Sequence, residues 1–125
     1  MMNHREGKKT FIVGGGDIGQ NLAKQLAHAG HQVTLIDQSE DVVDTLGNSI
    51  DAICFQGNGA SYATLQDLNA GSADLFIGVT QSDELNILSC FTAHMLGAKH
   101  TIARIRDTDY ACLLYTSDAA DDLIG

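Results

Sequence analysis

The chain has 125 residues, 44% hydrophobic and 18% charged, the composition of one folded domain and not of a disordered segment. Sixteen acids against seven Lys and Arg give a net charge of -9, which excludes the basic surface that nucleic-acid binding requires. Three widely spaced cysteines, Cys54, Cys90 and Cys112, make neither a disulfide framework nor a zinc pattern and read as reduced, intracellular thiols.

Residues 1–9 form a polar leader without the apolar stretch of a secretory signal. The run 10–13 predicts a strand that stops at Gly14. Residues 17–29 then place Ile18, Leu22, Ala23, Leu26, Ala27 and Ala29 on a helical stripe, with Gly30 at its end. A second strand is expected over 33–36, ending at Asp37. Ser39 caps a helix through Leu46, with Val42, Val43 and Leu46 on one face.

Residues 51–56 predict a third strand, ending at Gly57-Asn58-Gly59, and Ser61 caps a short helix over 62–68. A fourth strand covers 75–79. Apolar runs of that length are far too short to cross a bilayer. The longest helical pattern, 82–96, carries Leu85, Leu88, Cys90, Phe91, Ala93, Met95 and Leu96 and closes at Gly97. A fifth strand over 101–105 is read with Arg104 inside it and Arg106 beside it.

Strands alternating with helices predict an α/β fold: a Rossmann-like, doubly wound parallel sheet of about five strands in a three-layer αβα arrangement. Continuous apolar runs predict strands covered on both faces. With no proline in the chain, its thirteen glycines supply the breaks. Residues 10–111 are read as one nucleotide-binding domain. Residues 112–125 break the rhythm and resemble the read-through of a sequencing adapter. They are read as a non-native tail on a domain that naturally continues past Ala111.

Gly14, Gly15, Gly16, Asp17, Ile18 and Gly19 fit G-x-G-x-x-G between the first strand and the first helix. Gly14 permits the tight turn, Gly16 lets backbone approach a pyrophosphate, and Gly19 allows close helix–sheet packing. Free N–H groups and the helix dipole then favour phosphate. Asp37 stands eighteen residues after Gly19, at the end of the second strand. A carboxylate there accepts both ribose hydroxyls and repels a 2′-phosphate, favouring NAD or an adenine nucleotide over NADP. The competing reading is a glycine turn with a capping Asp and no ligand.

Ligands of such sheets collect at the C-terminal strand ends. Gly57, Asn58, Gly59 and Ala60 are small enough for adenine to lie against backbone. Thr80, Gln81, Ser82, Asp83 and Glu84 form a polar helix start, and Asp83 also reads as a simple helix-capping acid. Arg104 within an apolar strand demands an anionic partner, either a phosphate or a carboxylate such as Asp37 or Glu84. Cys54 and Cys90 lie on apolar elements and read as core thiols.

The segments GGGDIGQNLAKQLAHAGHQVTLID, QGNGAS, VTQSDELN and GAKHTIARIRDTDY resemble, in that order, the nucleotide-binding RCK or KTN domain of the TrkA family of Trk-type potassium-uptake regulatory subunits. The resemblance runs from about Lys8 to Ala111 and is greatest to the first of the two such domains in these subunits. It implies a cytoplasmic, non-catalytic protein peripheral to the inner face of the cell membrane. Such a protein assembles into a ring beneath an integral membrane potassium transporter, and binding of NAD(H), or alternatively ATP or ADP, shifts the ring and gates transport. By the same resemblance, Gly14 to Ile18 cradle phosphates, Asp37 holds ribose, and Gly57 to Ala60 line the adenine pocket. Thr80 and Gln81 contact the nucleotide, Arg104 meets a phosphate, and Glu84 faces a neighbouring subunit or its nucleotide. The helix over 82–96 is a candidate subunit contact.

The alternative is the cofactor-binding half of an NAD-dependent dehydrogenase, which the glycine loop and Asp37 fit equally well. His4, His28, His31, His94 and His100 are scattered along the chain, with no paired acid at a strand end to make a general base. An interaction domain with a vestigial glycine loop is the third reading.

Overall fold

The computed structural model describes residues 7–107. The elements are β1 (Lys9–Val13), α1 (Asp17–His28), β2 (Gln32–Asp37), α2 (Glu40–Gly47), β3 (Ile53–Gln56), α3 (Tyr62–Asp67), a 3-10 turn (Ala70–Ser72), β4 (Leu75–Gly78), α4 (Asp83–Leu96) and β5 (Thr101–Ala103). All strand pairs are parallel, in the order β3-β2-β1-β4-β5. The expected doubly wound α/β sheet is therefore present.

Alternation along each strand divides the core into two layers. On one face Ile12, Leu35 and Ile77 pack with Ala23 of α1 and Leu46 of α2. On the other, Phe11, Val13, Ile36 and Phe76 pack with Leu65 of α3 and Cys90 and Ala93 of α4. The Phe11 and Phe76 rings stack there at a centroid distance of 6.2 Å. The helices change face where β1 lies beside β4, and that change opens the sheet's C-terminal edge into a crevice.

Burial on both faces holds for the central strands and fails at the edges. Ile53 and Phe55 of β3 and Ile102 of β5 remain exposed, Ile53 at 66%. β3 starts at Ile53 and not at 51, because the Ala52 N–H turns back to the Ile50 carbonyl at 2.9 Å. β5 stops at Ala103, so Arg104 and Arg106 lie beyond the strand. The 3-10 turn was not expected from the sequence; Asn69 starts it in the left-handed region, at φ 60°. On α4 the sheet-facing residues include Asp83, Asn86, Ser89, Cys90 and Ala93. Leu88, Phe91 and Met95 point outward.

Among the described residues no helix is long and apolar enough to cross a membrane. No group of three or more His, Cys, Asp or Glu among them is placed to hold a metal ion. The segment 112–125, read above as non-native, lies outside the described residues, as does the leader up to residue 6.

Candidate functional site

The crevice is built on the turn after β1. Gly14 has φ 117°, a conformation that disfavours side chains, and its N–H donates to the Ile36 carbonyl at 2.9 Å. Gly19 lies against this turn so closely that a Cβ would overlap the Gly14 carbonyl oxygen. This is the close packing expected of the third glycine. Gly16, by contrast, is exposed, and a Cβ there would meet nothing within 4 Å.

Gly16 is also the N-cap of α1, and no side chain caps that helix. Ser39, Ser61 and Ser82 each accept a backbone N–H at the start of α2, α3 and α4, at 3.3, 3.2 and 3.1 Å. At α1 the positive end of the dipole is left to solvent beside exposed Asp17 and Ile18.

Asp37 joins β2 to the glycine loop. Its Oδ2 accepts the Gly15 N–H at 2.7 Å and its Oδ1 accepts the Ser39 N–H at 2.8 Å. Each carboxylate oxygen has a second lone pair, so this half-buried group retains capacity for ribose hydroxyls. The Asp37 carbonyl accepts the Gly57 N–H at 2.9 Å, which brings the β3 loop alongside. Gly59 in that loop is packed so tightly that a Cβ would overlap Val13. Asn58 spends its side chain on the loop itself, accepting the Ala60 N–H at 2.9 Å.

These contacts bring Gly14, Asp37, Gly57, Gly59 and Thr80 together around a cleft of about 180 Å³, with Leu85 completing the wall. Gln81 and Glu84 are not part of it. They border a neighbouring depression of about 530 Å³ with Asp83 and Arg106. Arg104 borders neither; its N–H donates to the Gly78 carbonyl at 2.9 Å. A larger groove, about 670 Å³, lies by Lys9, Gln32 and Ile53 at the opposite strand ends. That edge has no helix N-terminus aimed into it, so the smaller cleft is the better site on physical grounds.

The capping reading of Asp83 is too narrow. Its carboxylate accepts the Arg106 N–H at 3.0 Å and the Asp107 N–H at 2.7 Å. Those two bonds hold its pKa below the usual carboxylate range, with the positive charges of Arg106 and Arg104 adding to the effect. The Arg106 guanidinium donates to the Gln81 carbonyl. Sequence reasoning missed Leu85 and Asn86. The available signal for Asn86 was its place three residues before Ser89, which sets two small polar side chains on one face of α4, both now fully buried.

A family model, the TrkA-N domain, matches residues 10–124. The chain is 37% identical over 101 residues to a Trk system potassium uptake protein TrkA homolog of Methanothermobacter thermautotrophicus, covering 81% of this chain and 47% of that protein. It is 37% identical over 103 residues to the Trk system potassium uptake protein TrkA of Haemophilus influenzae, covering 82% of this chain and 22% of that protein. The chain thus spans less than half the length of these relatives. Among solved structures, the GsuK channel bound to NAD shares the fold with a TM-score of 0.76 at 20% identity, over 92% of this chain and 21% of that one.

Proposed function

The chain belongs to the TrkA-N domain family, and from that premise we propose that it is the NAD(H)-binding regulatory domain of a peripheral subunit controlling a membrane potassium-uptake transporter. The observation that carries the proposal is the pairing of Asp37 with the glycine loop at 2.7 Å, next to a helix N-terminus that no side chain caps. The first supplies acceptors for ribose, and the second supplies donors and a dipole for pyrophosphate. In this proposal Gly14, Gly15, Gly16, Asp17, Ile18 and Gly19 form the phosphate cradle, with Gly57, Asn58, Gly59 and Ala60 on the adenine side. Thr80 closes the cleft. Gln81 reaches the nucleotide from the neighbouring depression, Glu84 from that depression or toward an adjoining subunit, and Arg104 meets a phosphate from the end of β5.

A cleft of about 180 Å³ is below the ~300 Å³ at which sites for whole small molecules begin. A dinucleotide would fill it with one part and lie along the open sheet edge with the rest. NAD(H) is favoured, because a channel of the same fold has been solved with NAD bound; ATP or ADP is the alternative ligand. The nucleotide biases two conformations by the difference in its affinity for each.

The partners proposed are further copies of the chain, paired within a ring, and an integral potassium transporter. The relatives' names support the second. The exposed stripe Leu88, Phe91 and Met95 on α4 supports the first, since it is an apolar strip in search of cover. The proposed location is the cytoplasmic face of the cell membrane. A dehydrogenase half-domain has less support, because the relatives are named for potassium uptake. Calorimetric titration with NADH, NAD, ATP and ADP, beside an assay of NADH oxidation by small keto acids, tests the proposal. Binding without turnover is expected. No binding by any of the four, or turnover, overturns it.

A further inference from the structure

Asn86 stands in the second turn of α4, fully buried, with its whole carboxamide engaged. Its Oδ1 accepts the Thr80 N–H at 2.8 Å and the Thr80 hydroxyl at 2.7 Å. Its Nδ2 donates to the Thr80 carbonyl at 3.1 Å and the Arg104 carbonyl at 2.9 Å. A backbone N–H can only donate, so the oxygen must face Thr80 N and the orientation is fixed. A carboxylate of the same shape would set acceptors against two carbonyls. An apolar side chain would leave all of these groups unpaired in the interior.

The location of the bonded groups gives this network its importance. Thr80 borders the cleft, so close to the glycine loop that a Cβ on Gly14 would meet Thr80 N at 3.0 Å. Arg104 follows β5 and is bonded to Gly78 through its N–H. Gly78 in turn lets α4 settle onto β4, since a Cβ there would meet the Asn86 carbonyl oxygen at 3.0 Å. One turn earlier, Asp83 grips Arg106 and Asp107. The helix that makes these bonds also presents Leu88, Phe91 and Met95 to solvent.

We infer that Asn86 is a positioning residue of the nucleotide cleft, holding Thr80 and the Arg104 end of β5 in fixed relation to α4. The inference rests on the nucleotide reading of the cleft. Asn86 acts through Thr80, the bonded residue that borders the cleft, and its four bonds link that residue to α4 and to the end of β5.

The test is calorimetric titration of NADH into the whole chain, wild type and Asn86→Asp, at pH 8 and pH 5.5, with folding checked by circular dichroism. At pH 8 the variant is expected to bind about tenfold more weakly. At pH 5.5 most of that loss is expected to be recovered, because a buried carboxyl protonates above its ordinary range and regains one donor. A residue that only fills space would lower the melting temperature without this pH-dependent affinity. Wild-type affinity in the folded variant at both pH values overturns the inference. Should Asn86→Asp not fold, amide exchange on the wild type decides: NADH is expected to slow exchange at Thr80, in the second turn of α4 and at 103–106. Protection confined to the glycine loop and Asp37 overturns the inference. A wild type that binds no NADH refutes the cleft reading itself, a result distinct from a variant that binds normally.

Discussion

The Asp37 carboxylate accepts the Gly15 N–H at 2.7 Å, fastening the end of β2 to the glycine loop. Its other oxygen accepts the Ser39 N–H at 2.8 Å, so one side chain orders both the loop and the start of α2. Asp37→Asn turns a donor toward one of these N–H groups. The variant is expected to lose about 1–3 kcal/mol of stability, the cost of an unsatisfied group once paired with a charge. Urea denaturation at pH 7 measures it.

The two glycines flanking the first turn of α1 separate folding from binding. Gly19→Ala forces a methyl into the Gly14 carbonyl and is expected to cost about 3 kcal/mol. Gly16→Ala meets open space and is expected to leave stability within about 1 kcal/mol. Its methyl stands where a pyrophosphate would approach, and NADH affinity is expected to fall about tenfold. Thermal denaturation and NADH titration of both variants check the contrast.

Asp83 and Asp74 make the acid limb of stability specific. Asp83 is held low by the Arg106 and Asp107 N–H groups, and Asp74 by the Lys9 N–H and by Lys99. Depressed folded-state values mean that the unfolded chain binds more protons near the ordinary carboxylate value of 3.8. Stability from these groups is therefore present above that value and is lost as pH falls through the lower folded-state values. The urea midpoint is expected to drop below about pH 4, and less steeply in Asp83→Asn and Asp74→Asn.

Cys90 is 1% exposed, and burial pushes its thiol up to about 12. In a Cys54→Ser, Cys112→Ser background, a disulfide-forming thiol reagent at pH 8 is expected to label Cys90 only as fast as the fold opens, since the thiolate is the nucleophile. Labelling at the rate of a free thiol in the folded protein would contradict the burial.

The sheet and the front of the site were legible because their signals are local. Thr10 to Gly19 carries strand, turn and helix start in consecutive residues, and Asp37 falls at the end of the next apolar run. What was hidden depends on distant partners. Asn86 looks like a solvated helix position until Thr80 and Arg104 are placed against it, eighteen residues separating it from the latter. The sequence places Arg104 inside a strand because Ile105 continues the apolar run, yet β5 pairs with β4 only from Thr101 to Ala103. The outward aim of Leu88, Phe91 and Met95 was also hidden, since the buried side of α4 carries Asp83, Asn86 and Ser89 and the larger apolar side chains lie outside, the reverse of the usual helix pattern.

In the proposed site Asp37 presents an acceptor to an unmodified ribose beside the uncapped N-terminus of α1. Parallel calorimetric titrations of NADH and NADPH into the wild type and Asp37→Ala test it most directly. The expected result is NADH binding at least about tenfold tighter than NADPH in the wild type, with weaker binding and lost discrimination in Asp37→Ala. Equal affinity for the two dinucleotides in the wild type, or discrimination that survives Asp37→Ala, would contradict it.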